Sequence, residues 1–333
     1  MPILCYNLNI DRRKTIYYLF EEKPYECLNL QAQSLFAKLM YLILYAIFYL
    51  FSLLPLRILY CLSDILYFLL YTVFKYRVRV VQSNLSHSFP EKTAEERLRI
   101  EKKYYHNLCD SIFETIKMFS ISKKALDKRI TCNWDVFDTM TTQNRNGQAF
   151  MSHQFNWEWS TLICNWHAPR RFTGIYLPLT NKAFDQIFYK IRSRAGMKLI
   201  PVQQMQNEVA KVQNEAVLWG FIADQNPSDP KRASWNDFFH RKTAFFKGPE
   251  FVARRYNNLV YFGEIVKIKR GYYEIKMKLA FEHPNQTKEG EITEAYVRYL
   301  EESIQRQPEN WLWSHRRWKH VYPNQSSIEN IQK

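Results

Sequence analysis

Glycine is scarce: the 333 residues contain eight, at 147, 174, 196, 220, 248, 263, 271 and 290, and no two lie closer than eight positions apart. Phosphate-cradling loops need clustered glycines so that backbone N–H groups can approach the ligand, which excludes both G-x-G-x-x-G and the P-loop. The six cysteines lie at 5, 27, 61, 109, 132 and 164, never as C-x-x-C. Such spacing supports neither a disulfide framework nor a zinc knuckle, and it fits a reducing compartment. No H-E-x-x-H occurs, His153 and His167 lie 14 apart with no Cys or acid cluster to add a third ligand, and Ser152 lies outside any G-x-S-x-G elbow, so metal and serine-nucleophile chemistry lack their usual residues, and Cys164 is read as having no catalytic partner. Residues 1–34 have balanced charge and no apolar run of signal-peptide length.

What is abundant is apolar and positive. The chain is 47% apolar and 16% aromatic, enough to bury a core, and 47 Lys and Arg against 32 Asp and Glu leave it at +15. An acidic partner follows from that excess: anionic lipid, an acidic protein or nucleic acid. Residues 39–56 read LMYLILYAIFYLFSLLPL, 18 positions without a charge and just long enough to cross a bilayer. A second apolar stretch, 58–74, is interrupted by Asp64 and followed by Lys75, Arg77 and Arg79, as expected of a helix lying in the interface or closing a shallow hairpin.

Beyond this anchor the pattern changes. Helical periodicity covers about 93–120. Short apolar runs at 148–152, 171–177, 198–202 and 216–223 then alternate with helical stretches near 156–166, 181–194 and 203–214, the βαβ signature of a sheet covered by helices. A hairpin of 259–269 and 272–282 turns at Arg270-Gly271, and a last helix spans about 289–306. The fold class read from this is α/β: a mixed sheet flanked by helices, with an N-terminal membrane-anchoring helical segment. The boundaries are a 1–34 extension, anchoring helices over 35–80, a catalytic domain over 81–322 and a 323–333 tail.

The segment His153-Gln-Phe-Asn-Trp-Glu158 places a histidine where a strand ends and a helix begins, the position at which open α/β sheets bind their ligands. Glu158 falls in the first turn of that helix. Its carboxylate is expected to turn back to the imidazole, fix its tautomer and make His153 a general base. Helix N-terminal amides near Asn156, or an arginine, are the candidates for stabilising an oxyanion. Ten cations against three acids lie between Arg241 and Lys278, a net +7, and strand alternation makes a solvated face their plainest reading. At the C-terminus, Trp311, Trp313 and Trp318 are interleaved with His315, Arg316, Arg317 and Lys319. That composition is too apolar for a tail, so it is expected to fold back and offer Arg316 and Arg317 to phosphates.

Taken in order, 54-Leu-Pro-Leu-Arg-57, the 81–90 segment VQSNLSHSFP, His153-x4-Glu158, Arg192-Ser-Arg194-Ala-Gly196, Ala223-Asp224-Gln225-Asn226-Pro227 and the Trp313–Lys319 block resemble the late acyltransferases of lipid A biosynthesis. These form the lauroyl/myristoyl transferase branch of the lysophospholipid acyltransferase superfamily. The resemblance covers about 38–320. It implies His153 as general base with Glu158 as its acid, and substrate contacts from Arg192 or Arg194 and from Asp224 with Gln225. It also implies no metal or nucleotide cofactor, an acyl carrier protein as donor, an anionic lipid A precursor as acceptor, and a site on the cytoplasmic side of a Gram-negative inner membrane, with no role for nucleic acid. Residues 1–34 fall outside the pattern, either as a lineage extension or because Met40 is the true start. Two alternatives stay open: acylation of another glycolipid or aminolipid, and a membrane-anchored basic nucleic-acid-binding module.

Overall fold

The computed structural model describes residues 35–212 and 215–322; the expected extension over 1–34 and tail over 323–333 lie outside the described residues. The apolar lead-in forms α1 (Leu35–Leu53) and α2 (Leu56–Tyr67), the latter running on as a π-helical turn over Phe68–Val73. Pro55 separates them because its ring disfavours helical backbone at Leu54 and removes a donor. The division is not the one read from sequence. Among the described residues, the helix long and apolar enough by length and composition to span a membrane is 56–73, whereas 38–53 is shorter. Asp64, the acid that argued against a second span, is neutralised by Arg270 of the distant hairpin at 2.7 Å.

After α3 (Val78–Ser88) comes the long α4 (Ala94–Lys117), opened by a reciprocal cap in which Thr93 Oγ1 accepts from the Glu96 amide and Glu96 accepts from the Thr93 amide. The chain continues through α5 (Lys123–Asp127), β1 (Ile130–Cys132), α6 (Asp138–Thr142), β2 (Gly147–Met151), α7 (Trp157–His167), β3 (Phe172–Tyr176), α8 (Lys182–Ser193), β4 (Lys198–Pro201), α9 (Met205–Lys211) and β5 (Leu218–Ile222). A separate hairpin of β6 (Ser234–Phe238) and β7 (Arg241–Phe245) precedes α10 (Gly248–Tyr256), β8 (Leu259–Lys269), β9 (Tyr272–Phe281) and α11 (Glu291–Arg306).

Seven strands pair in the order β1-β9-β8-β2-β5-β3-β4. All neighbours are parallel except β8 and β9, which form an antiparallel hairpin. β2 is central and buried throughout. Alternation along it sends Phe150 into one apolar layer with Phe262, Tyr296 and Leu300, and Ala149 and Met151 into the other with Trp159, Leu162 and Ile187. The expected mixed α/β sheet with helices on both faces is therefore what forms.

The ten cations of 241–278 do not make one patch. Lys267 and Arg270 reach the buried Asp110 at 3.3 and 2.6 Å, Lys242, Lys247 and Lys276 pair with Asp237, Glu289 and Glu274, and Lys278 lies over the Tyr299 ring at 4.4 Å.

Candidate active site

β2 and β5 are parallel neighbours with Met151 paired to Ile222 at their carboxyl ends. His153 and Asp224 each stand two residues beyond, so the register alone brings them face to face. The His153 Nδ1 is 2.6 Å from Asp224 Oδ1, and the His153 backbone N–H donates to Oδ2 at 2.9 Å. Trp311 Nε1 donates to Oδ2 at 2.7 Å. The carboxylate is 1% exposed and the imidazole 15%. Burial would raise the Asp224 carboxyl, but the adjacent imidazole and these hydrogen bonds hold it below the ordinary carboxylate value. An acceptor carboxylate at Nδ1 places the ring proton there and leaves Nε2 with its lone pair, next to the Gln225 side-chain nitrogen at 3.0 Å.

The loop carrying His153 is tied down on every side. Tyr296 donates to the Met151 carbonyl, Phe155 N–H to the Asn310 carbonyl, and the Gln154 amide bridges Ile265 N–H and Ser303. Asn156 caps α7 by accepting from the Trp159 amide at 3.2 Å, and its Nδ2 donates to Glu114 at 2.9 Å. Glu114 is wholly buried and also accepts from Tyr60 and Tyr273. Both ends of the Asn156 side chain are thus committed within the protein, so it shapes the loop rather than reaching outward.

Glu158 does not turn back to His153. Its two oxygens take a bidentate pair from Arg192, Nε at 2.9 Å and Nη2 at 2.6 Å. The guanidinium lies 4.9 Å from the Trp157 ring centroid, and that ring meets the His153 ring edge-on at 5.2 Å. Glu158 is therefore linked to the imidazole only through Arg192 and Trp157, while Asp224 occupies the place expected for it. Arg194, read as an alternative to Arg192, points elsewhere: it donates to the Met118 and Ile121 carbonyls at the end of α4.

The C-terminal block folds against the same edge of the sheet, through Trp311 on Asp224 and Arg317 on Asn226, and Arg316 and Arg317 part company there. Arg316 is exposed, and among the described residues only its carbonyl is held, by Asn226 at 2.8 Å. Arg317 is 1% exposed, donates to Asn226 Oδ1 and the Ala244 carbonyl, and sits 4.3 Å from the Phe245 ring centroid, with burial pushing it down to about 10. In this structure Arg317 is a buried strut whose guanidinium does not reach the surface where a phosphate contact is expected from sequence. Arg317→Met is expected to cost about 2–4 kcal/mol of stability in chemical unfolding, because two acceptors lose their donor in a buried place. Arg316→Met should change it by less than about 0.5 kcal/mol.

Three contributors were missed as site residues: Trp311, Asn226 and His315, the last with Nε2 3.1 Å from Asn226. The 81–90 segment explains itself here, since Asn84 donates to the Trp313 and His315 carbonyls and so clamps the block. Burial, opposed by Asp224 and reinforced by Arg317, pushes the His315 imidazole from 6.5 down to about 4. A folded value below the unfolded one means that the unfolded chain binds the proton first. The neutral ring's contribution is complete above about 6.5 and is lost as pH falls towards about 4. Melting temperature should fall across that window, and less steeply for His315→Asn.

Among the described residues no group of three or more His, Cys, Asp or Glu is arranged to hold a metal. The site thus holds a histidine oriented by a buried carboxylate at a sheet's carboxyl edge, near an arginine, an arrangement chemically able to take a proton from a substrate group.

The family model for bacterial lipid A biosynthesis acyltransferases matches residues 30–320. The chain is 23% identical over 260 residues to a lipid A biosynthesis palmitoleoyltransferase of Escherichia coli (strain K12), covering 76% of this chain and 82% of the relative. It is similar to the same extent to a lipid A biosynthesis acyltransferase of Shigella flexneri. By the family-model match over most of its length, the chain belongs to the bacterial lipid A biosynthesis acyltransferase family and is an acyltransferase enzyme.

Proposed function

We propose that the enzyme moves a fatty acyl chain from an acyl carrier protein thioester to a hydroxyl of a lipid A precursor at the cytoplasmic face of the inner membrane. The observation that supports the reading is the His153–Asp224 pair at the carboxyl ends of β2 and β5. Nε2 takes the hydroxyl proton as the oxygen attacks the thioester carbonyl, and Asp224 stabilises the imidazolium that forms. On collapse of the tetrahedral intermediate the proton can pass from Nε2 to the departing thiolate, which restores the base. Gln225 steadies the imidazole, and the Arg192 charge, fixed by Glu158, favours the oxyanion from across Trp157. Arg316 is the candidate for an acceptor phosphate.

The donor preference tests this reading. A +15 chain attracts an acidic carrier protein, and such steering weakens as the Debye length shrinks from about 10 Å at 0.1 M salt to about 3 Å at 1 M. With purified enzyme and a lipid A precursor, acyl carrier protein should outperform the coenzyme A thioester at low salt, with the gap narrowing as salt is added. Equal rates at low salt refute the carrier-protein assignment. A product bearing no new ester on the lipid, by mass spectrometry, refutes the acceptor.

A further inference from the structure

We propose that residues 177–179 and the outer side of α8 form a second lipid-contacting surface, continuous with α1, that rests on an anionic membrane beside the catalytic site. This rests on the reading that α1 and α2 hold the enzyme at a membrane. Scattered exposed apolar side chains are ordinary in any protein, but a contiguous group next to an anchor is not. Here Leu177 is 69% exposed, Leu179 47%, Tyr189 44% and Phe184 37%.

These side chains stand on ordered backbone. The Leu179 amide donates to Asp185 Oδ1 at 2.7 Å, and Asn181 caps α8 by accepting from the Ala183 and Phe184 amides. The loop is thus pinned in a shape that presents Leu177 and Leu179 on either side of Pro178, where folding back would have hidden them.

Continuity with α1 decides what covers them. Phe48 of α1 meets Phe184 at 6.4 Å, and Lys190 lies 4.3 Å from the Tyr45 ring centroid. α1 therefore packs one face along α8 and exposes the other, with Leu39, Leu42, Ile43, Ile47 and Leu50 outward. A membrane that receives that face meets the α8 surface alongside it. Lys182 and Lys190 are exposed at its margin and make no ion pair among the described residues, which suits phosphate headgroups. The same helix carries Arg192 inward to Glu158, so the lipid surface and the reacting groups are two sides of one element. An amphiphilic acceptor would reach His153 from the bilayer without crossing water.

The test uses the full-length chain in vesicles of phosphatidylethanolamine and phosphatidylglycerol, with photoreactive benzoylphenylalanine incorporated at Leu179, at Leu50 on α1, or at Arg298 on α11 across the sheet. Lipid adducts at positions 50 and 179 and none at 298 are expected by mass spectrometry. An adduct at 50 without one at 179 overturns this surface and leaves the anchor standing, whereas none at either removes the anchor as well. A protein adduct alone at 179 also overturns it. In parallel, Leu177→Asp with Leu179→Asp should raise the apparent KM for acceptor in vesicles by about tenfold and leave it unchanged for acceptor dispersed in detergent. Equal effects with both presentations count against the proposal.

Discussion

His153→Ala is expected to lower kcat by about 10²–10⁴-fold, about 3–5 kcal/mol of barrier, while the protein stays folded. The fold should survive because the residue left behind keeps its backbone amide on Asp224 Oδ2 and Trp311 keeps its own hydrogen bond there, so the buried carboxylate still has two donors. The cost in stability should be no more than about 1–2 kcal/mol. Steady-state rates and chemical denaturation on the same preparation check both halves. Full activity without the imidazole would end the general-base mechanism, and collapse of the fold would mean that the pair is chiefly structural.

Periodicity made most of the elements legible. The long amphipathic run read as about 93–120 is α4, the apolar runs read as strands are β2 to β5 within a residue or two, and Arg270-Gly271 is the turn of the β8–β9 hairpin. What failed to show was whatever lacked an apolar signature of its own. The β6–β7 hairpin has only five residues a strand, S-W-N-D-F and R-K-T-A-F, with no regular alternation, and β7 opens a basic stretch that reads as surface. β1 is three residues long and exists because it completes the edge beyond β9. The break at Pro55 was present in the sequence, yet an uncharged run of 18 residues outweighed it, and the proline decides where the helices end.

The site was legible in its location and not in its pairing. His153, Glu158, Arg192, Asp224 and Gln225, singled out by their motifs, lie close together at the carboxyl edge of the sheet. Which carboxylate meets the imidazole depends on strand order, and no local pattern carries that. Asp224 lies 71 positions from His153 and becomes its neighbour only because β5 pairs with β2, whereas Glu158 is five positions away and turns on its helix towards Arg192. Likewise, Arg316 and Arg317 are identical in composition terms, and only the packing of Phe238 and Phe245 around the second separates a buried strut from an exposed cation.

A double-mutant cycle separates the two acids. In Asp224→Asn the side chain can offer an N–H where Oδ1 accepted, which favours the tautomer with its proton on Nε2, the nitrogen that must accept from the substrate. A loss in kcat approaching that of His153→Ala is expected, and adding His153→Ala should cost little more, because groups acting as one unit are strongly non-additive. Glu158→Gln should act differently. It replaces one acceptor oxygen of the Arg192 pair with an amide and loosens the guanidinium over Trp157, so a smaller loss is expected, and combined with His153→Ala it should be close to additive. The measurements are kcat and kcat/KM for the three single and two double variants at fixed pH, with unfolding curves to confirm that each is folded. Non-additivity with Glu158 and additivity with Asp224 would mean that the enzyme rearranges on binding substrate and that Glu158 becomes the partner of His153 in the reacting complex.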